Sequence, residues 1–552
     1  MTILESRIHQ NLQLENKEIK QSIGRVTNLI ENFIGNPELS LACNIPSGSD
    51  NLISTIDYLA KNGNVDNLDS VNLLNAHPEF EKIVMAKNAA RAMEELIDHL
   101  INDNPFWIKF QNNGNYEFDS NNYDKFYYGS KIQRDPKSRV EYSKYSDIVT
   151  MNAKVLVDLL LDSDQWVDNF PTIISKATTV SVIEAGSLDN RSGSLQLVYK
   201  KMHSLPPINR PREYTLLQHC QEIKTGLWVI VNVSYNMFGG TYHNAPIHYW
   251  KHPSGWMIEQ LPNGISKVTC VEHVEVNFNL PNYDDQVKNT LGFCAKRWVT
   301  TLQKTSELYS YMTEHVTQGR RSMMMLSRRM IKKYCSTFSL FEDANTYELK
   351  SNRVKIDVVK NTTSDLPTGL VISVARSFWV PASPNKVVEF LSDYTTRSQW
   401  DVLCNGNPVH EMIRIPTGIQ SINAISILQP MNPNERSEMI FQEIMTGPYE
   451  SLIVYAAINE QNMIGVTNGM DCSSIPILAS GFAITPNVIG GRAAPSASSS
   501  VTHLGGSLIT VAFQVLACSS LDTIYVGDKP SKATKMVNNV VNTLKVVFKR
   551  PV

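Results

Sequence analysis

The stretch S-G-W-M-I-E-Q-L-P-N-G-I-S-K-V-T-C-V-E-H-V-E-V-N (Ser254–Asn277), followed after a polar break by D-D-Q-V-K-N-T-L-G-F-C-A-K-R-W-V-T-T-L-Q-K-T-S-E-L-Y (Asp284–Tyr309), decides the fold. Pro262-Asn263-Gly264 separates two strand-like runs, because Gly tolerates a positive φ and Pro removes a ladder donor. The run from Lys267 to Asn277 is rich in Val and Thr, which suit a pleated surface. After Pro281 the period changes. Val287, Leu291, Cys294, Trp298, Leu302 and Tyr309 recur at three- and four-residue steps, giving a helix with one apolar face. A hairpin followed by a long amphipathic helix must bury that helix against a sheet. If the sheet is curved, the helix closes one side of a container.

Working outward, the chain preceding the hairpin supplies the rest of that sheet. Runs of strand character cover Thr178–Ile183, Ser194–His203, Tyr214–Ile223 and Leu227–Ser234. They follow a helical pattern from Asn152 to Phe170, stopped by Pro171. A further helix runs from Phe80 to Ile101, with Ile83, Ala90, Met93, Leu96, Ile97 and Leu100 on its apolar side. The segment Asn104–Tyr145, aromatic and polar, reads as irregular. Residues 1–34 are helical in pattern and fit either a short zipper or a lone amphipathic helix. Residues 35–77 read as a linker.

Downstream the order recurs. Gly319–Lys333 is basic and methionine-rich. Gly369–Trp379 is strand-like, Pro384–Asp401 is helical, and strands follow at Ile422–Leu428, Glu438–Ile444, Ser451–Ile458 and Leu508–Leu516. A long helix over Ser531–Lys549 ends the chain. The segments V-L-V-D-L-L-L-D-S-D-Q-W-V-D (Val155–Asp168) and P-N-K-V-V-E-F-L-S-D-Y-T-T-R-S-Q-W-D (Pro384–Asp401) both run to a Trp followed closely by Asp. The pattern is an internal duplication of one α+β unit, with units over 78–315 and 316–552.

The 552 residues carry 42% hydrophobic and 19% charged residues and a net charge of −2, values of a globular protein without global affinity for polyanions. The eight cysteines form no C-x-x-C pair, which suits a reducing compartment rather than a zinc or disulfide framework. No apolar run is long enough to span a membrane. G-x-S-x-G, H-E-x-x-H and G-x-x-x-x-G-K-S/T are all absent, so no catalytic residue is expected. His243, His248 and His252 share one loop without a nearby Cys or carboxylate, and no metal or other cofactor is expected.

Several blocks in order carry a resemblance. N-R-S-G-S-L-Q-L-V (Asn190–Val198), G-L-W-V-I-V-N-V-S (Gly226–Ser234), P-N-G-I-S-K-V-T-C-V-E-H-V-E-V (Pro262–Val276) and A-K-R-W-V-T-T-L-Q (Ala295–Gln303) resemble the START domain of plant class IV homeodomain–leucine-zipper transcription factors. S-F-W-V-P (Ser377–Pro381), R-S-Q-W-D-V-L-C-N-G (Arg397–Gly406) and G-S-L-I-T-V-A-F-Q (Gly506–Gln514) resemble the START-adjacent domain of the same family. The family's W-F-Q-N-R-R recognition helix has no counterpart here, so direct DNA contact is not expected of this chain. The resemblance implies two tandem helix-grip domains of START or Bet v 1-like type, a lipid or sterol ligand, dimerisation with family members, and a nuclear setting. A soluble lipid carrier and a dominant-negative dimer partner are the rival readings.

Within the first domain, alternation places Leu195, Leu197 and Tyr199 on one strand face and Val229 and Val231 on another. With Leu291, Cys294 and Trp298 of the closing helix, they are the expected lining of the ligand cavity. A solid core satisfies the same pattern. A ligand with one polar group needs a buried partner, and Arg191 and Arg297 are the candidate anchors.

Overall fold

The computed structural model describes residues 78–100, 106–109, 116–127, 138–203, 211–235, 249–277, 290–313, 316–341, 354–361, 366–404, 406–431, 438–486, 506–519 and 528–549. The expected zipper or helix of residues 1–34, the linker 35–77, and His243 and His248 lie outside them.

In chain order the first unit comprises α1 (Pro78–Leu100), β1 (Trp107–Lys109), β2 (Tyr116–Phe118), α2 (Ser120–Tyr127), β3 (Ser138–Val149), α3 (Ala153–Leu161), α4 (Trp166–Asn169), β4 (Ile174–Glu184), β5 (Leu195–Met202), β6 (Arg212–Lys224), β7 (Leu227–Ser234), β8 (Tyr249–Lys251), β9 (Ser254–Gln260), β10 (Ser266–Asn277) and α5 (Ala295–Thr313). Its main sheet is antiparallel, in the order β3-β10-β9-β7-β6-β5-β4, with β8 also paired to β10. The expected hairpin is β9–β10. Asn263 and Gly264 both take positive φ at its turn, 66° and 73°, the pairing that matches strand twist in a tight hairpin.

The closing helix α5 lays Trp298, Val299 and Leu302 on the sheet's concave face, where Trp228, Ile230, Trp256, Ile258, Val268 and Cys270 meet it. The opposite face is covered too. Met93, Leu96, Ile97 and Leu100 of α1 pack on Val229, Val231 and Val271, and Met85 and Ala89 pack near Leu195, Leu197 and Leu217.

The second unit repeats this plan with α6 (Gln318–Ser336), β11 (Lys355–Asn361), β12 (Gly369–Val380), α7 (Pro384–Ser392), β13 (Val409–Pro416), β14 (Ala424–Pro430), β15 (Glu438–Met445), β16 (Ser451–Asn459), α8 (Glu460–Thr467), β17 (Ser480–Pro486), β18 (Ser507–Cys518) and α9 (Lys529–Val547). Its sheet order is β11-β12-β18-β17-β16-β15-β14-β13. α9 fills the concave side through Val537, Val540, Val541 and Leu544. The methionine-rich α6 covers the other face with Met323, Met324, Met330 and Ile331, so it is to the second sheet what α1 is to the first.

Three expectations change. Asn104–Tyr145 is not irregular throughout: it runs into β3, which pairs with β10 along its whole length, from Ser138 opposite Asn277 to Val149 opposite Ser266. Asn152–Phe170 is not one helix. α3, N-capped by the Asn152 side chain on Lys154 N, ends at Asp162, and a 3-10 turn over Ser163–Gln165 leads into α4. Pro384–Asp401 breaks likewise after Ser392.

Candidate ligand site beneath the closing helix

The concave face of the first sheet is built from the inward residue of each alternating strand. Trp298 of α5 sits at its centre, with ring centroids 5.3 Å from Phe170, 5.9 Å from Trp256 and 6.1 Å from Trp166, all near edge-to-face. These rings fill the side toward α3 and α4. A row of amides closes that end: Gln196 Nε2 donates to Leu161 O at 2.7 Å, and Gln218 Nε2 to Leu160 O at 3.2 Å and Asn232 Oδ1 at 3.1 Å. They satisfy carbonyls that α3 leaves open at its C-terminal end.

Charged groups also reach the concave face, and most are paired. Arg212 Nη1 lies 2.8 Å from Glu141 Oε2, with its guanidinium carbon 3.9 Å from the centre of the Phe293 ring. Lys251 Nζ pairs with Glu272 Oε2, and both are buried. Lys200 is the exception. It lies on β5 opposite Tyr214, is 4% exposed, and holds its Nζ 3.3 Å from the centre of the Trp166 ring and 5.9 Å from that of Trp298. No carboxylate among the described residues pairs with it. Burial, and next the Lys251 charge, push its pKa well below the usual lysine range, with Glu272 offsetting part of this. A buried cation of this kind is costly unless an anion joins it.

The expected lining is placed differently. Leu195, Leu197, Val229 and Val231 face α1 on the convex side, whereas the inward residues of the same strands are Lys200, Met202, Trp228 and Ile230. The physical reason is that both faces are dry, so alternation marks two faces without saying which is concave. Tyr199 sits on the outward parity of β5, donating to Glu213 Oε2 at 3.0 Å. Trp298 packs on the concave face. Cys294 meets Tyr449 of the second unit, and Leu291 lies in the turn Thr290–Phe293 before α5.

Neither expected anchor reaches this face. Arg191 takes φ 60° in the β4–β5 turn, where its half-exposed side chain lies 3.3 Å from Asp158. Arg297 is fully buried, but it points to the junction between the units. Its Nε donates to Glu450 Oε2 at 3.0 Å, Nη2 to Thr172 O at 2.6 Å, and Nη1 to Gly292 O at 2.5 Å and His203 O at 3.4 Å. Arg328 of α6 adds a bond to Asn169 Oδ1 at 2.7 Å, and Lys332 pairs with Asp168. A cavity of about 80 Å³ lies at this junction, lined among others by Asn169, Thr172, Lys304, Arg328, Glu443 and Glu450. Lys200 was missed because it follows from the opposite strand parity. Once Trp228 and Ile230 are taken as inward, the pairing of β5, β6 and β7 makes Lys200 inward too.

Two sheets, each clasped on its concave face by a C-terminal helix and covered on its convex face by an N-terminal one, define a tandem helix-grip protein. A START domain model matches residues 87–307, and a model described as PDF2-like, C-terminal domain matches residues 316–549. The rice homeobox-leucine zipper protein ROC8 (Oryza sativa subsp. japonica) is 34% identical, covering 98% of this chain and 82% of ROC8. Homeobox-leucine zipper protein HDG11 of Arabidopsis thaliana is 32% identical over 97% of this chain and 78% of its own length. Among solved structures, human StAR-related lipid transfer protein 5 aligns over 41% of this chain and 98% of its own, at 13% identity and a TM-score of 0.28, too low to add to the argument. The chain belongs to the class IV homeobox-leucine zipper family, as a START domain joined to that family's C-terminal domain.

Proposed function

We propose that the first unit binds a hydrophobic small molecule of the lipid class on the concave face beneath α5, and that occupancy is relayed to the second unit to regulate transcription with partner proteins of this family in the nucleus. The observation that carries the reading is Lys200, a buried cation left unmatched after Glu141 has taken Arg212 and Glu272 has taken Lys251. One acidic group on the ligand completes the charge balance. That favours a fatty acid or another acidic lipid over a sterol alcohol. Burying its chain contributes about 0.8 kcal/mol per CH₂, which offsets the displacement of α5 that entry past Trp298 requires.

The relay follows from position. α5 carries Trp298 on its inward side and, one residue before it, Arg297 locked to Glu450. A shift of α5 on binding therefore pulls on the junction. A free lipid carrier has no need of this lock, and its presence supports the regulatory reading over the carrier.

The test is calorimetric titration of the full chain with a long-chain fatty acid and with the matching alcohol. The acid binds at least tenfold more tightly, and Lys200→Met removes the preference while sparing the alcohol. Burial holds the Lys200 pKa well below the usual lysine range, and pairing with the acid raises it again, so binding is accompanied by proton uptake, read from the dependence of the heat on buffer ionisation. Equal affinity for acid and alcohol, or a preference that survives Lys200→Met, refutes the anchor.

A further inference from the structure

On the convex face of the first sheet, three potential ligands converge where α1 crosses β10. Glu95 and His99 stand four residues apart on one face of α1, and His273 projects from β10 toward the helix. They are 3%, 0% and 0% exposed, and their ligand atoms all lie within 4.8 Å of one another. The His99 ring is held at Nδ1, 3.1 Å from the Tyr142 hydroxyl. Its Nε2 is fully buried and has no hydrogen-bond partner. If Nδ1–H donates to the Tyr142 oxygen, the Nε2 lone pair is left free. That is the arrangement by which an outer hydrogen bond fixes the tautomer of a metal-ligating histidine. Glu95 is steadied in the same way, by the Tyr123 hydroxyl donating to Oε1.

The surroundings fit an ion better than a solvated network. Phe106, Phe118, Tyr123 and Tyr142 surround the His99 ring at centroid distances of 5.3 to 6.1 Å. His252 stacks on His273 at 4.5 Å, but its Nε2 is turned to Glu275 at 3.3 Å, so it stands beside the three rather than among them.

We propose that Glu95, His99 and His273 form a buried site for a first-row divalent cation of the zinc type, which staples α1 onto the sheet. Two imidazoles and a carboxylate are an established donor set for such ions. Ligands at about 2.0–2.1 Å in a tetrahedron stand about 3.3 Å apart, so small side-chain rotations draw the three atoms in. The helix gives two ligands and the strand one, and the bonded ion holds α1 over Val229, Val231 and Val271.

The full chain, stripped with chelator and titrated with Zn²⁺, takes up one equivalent. X-ray absorption of that complex shows two imidazoles in the first shell. Amide exchange in α1 slows on zinc addition. Glu95→Gln, which keeps an acceptor for Tyr123, weakens zinc binding at least tenfold while melting like the parent in chelator. If that variant unfolds, the absorption spectrum and exchange of the parent chain decide. Failure to bind one equivalent, a first shell without two imidazoles, unchanged α1 exchange, or a folded Glu95→Gln variant that binds as the parent does would each overturn the site.

Discussion

Replacing Glu450 with Leu tests the junction most sharply. Among the described residues the carboxylate is the only anion bonded to Arg297, and both side chains are almost wholly buried, at 2% and 8% exposure. Three carbonyls remain on the two Nη atoms, but none neutralises the charge. Breaking a buried pair by removing one partner costs about 3–5 kcal/mol. For units of this size each kcal/mol lowers Tm by about 2–4 °C, so the expected drop is about 6–20 °C. Arg297→Met combined with Glu450→Leu removes both charges and recovers at least about 2 kcal/mol relative to additivity. Scanning calorimetry of the parent, both single variants and the double variant completes the cycle. A Glu450→Leu chain within 1 kcal/mol of the parent, or a double variant equal to the sum of the singles, refutes the claim that this pair locks the units together.

Three further outcomes follow from burial. Glu443, at the junction cavity, has its pKa pushed up to about 8 by burial, against a smaller opposing pull from Arg328. Its folded value lies above its unfolded value of 4.5, so its stabilising contribution is complete below about pH 4.5 and lost as pH rises through 8. Glu443→Gln should therefore gain on the parent steadily from pH 4.5 to 8 in denaturant titrations, and a pH-independent difference contradicts this. His203 works oppositely: burial, with Arg297 next, lowers it to about 4, so that contribution is lost as pH falls from 6.5 through 4. Leu96→Ala, at the fully buried centre of the α1 seam, should cost about 2–5 kcal/mol and raise binding of an apolar dye. A cost under 1 kcal/mol would mean that α1 is not part of the folded unit.

The duplicated order of elements was legible because each long helix carries its own period and each hairpin its own turn. The β9–β10 turn was readable from Pro262-Asn263-Gly264 alone. β3 was not, because its inward residues are polar for tertiary reasons: Ser143 Oγ accepts from Ala295 N at 2.9 Å, and Glu141 holds Arg212. On its outward face, Lys144 bonds the last carbonyls of α1. The two faces of β5 and β7 were separable but not assignable, since α1 covers one and α5 the other. Arg297 is one of three cations on its helix, with Lys296 and Lys304, and its partner, Glu450, lies in the other unit, out of reach of any local pattern. Glu95 and His99 are visible as a helical pair, but the third ligand is supplied by strand pairing, which no local pattern encodes.

Photo-crosslinking with a fatty acid bearing a diazirine in its chain, followed by peptide mapping, tests the central claim most directly. Adducts are predicted on Met202, Ile230, Trp256 and Leu302, the concave lining beneath α5, and should be lost in competition with unlabelled acid. Adducts confined to α1 or to the outer surface, or labelling that excess acid does not displace, would contradict it.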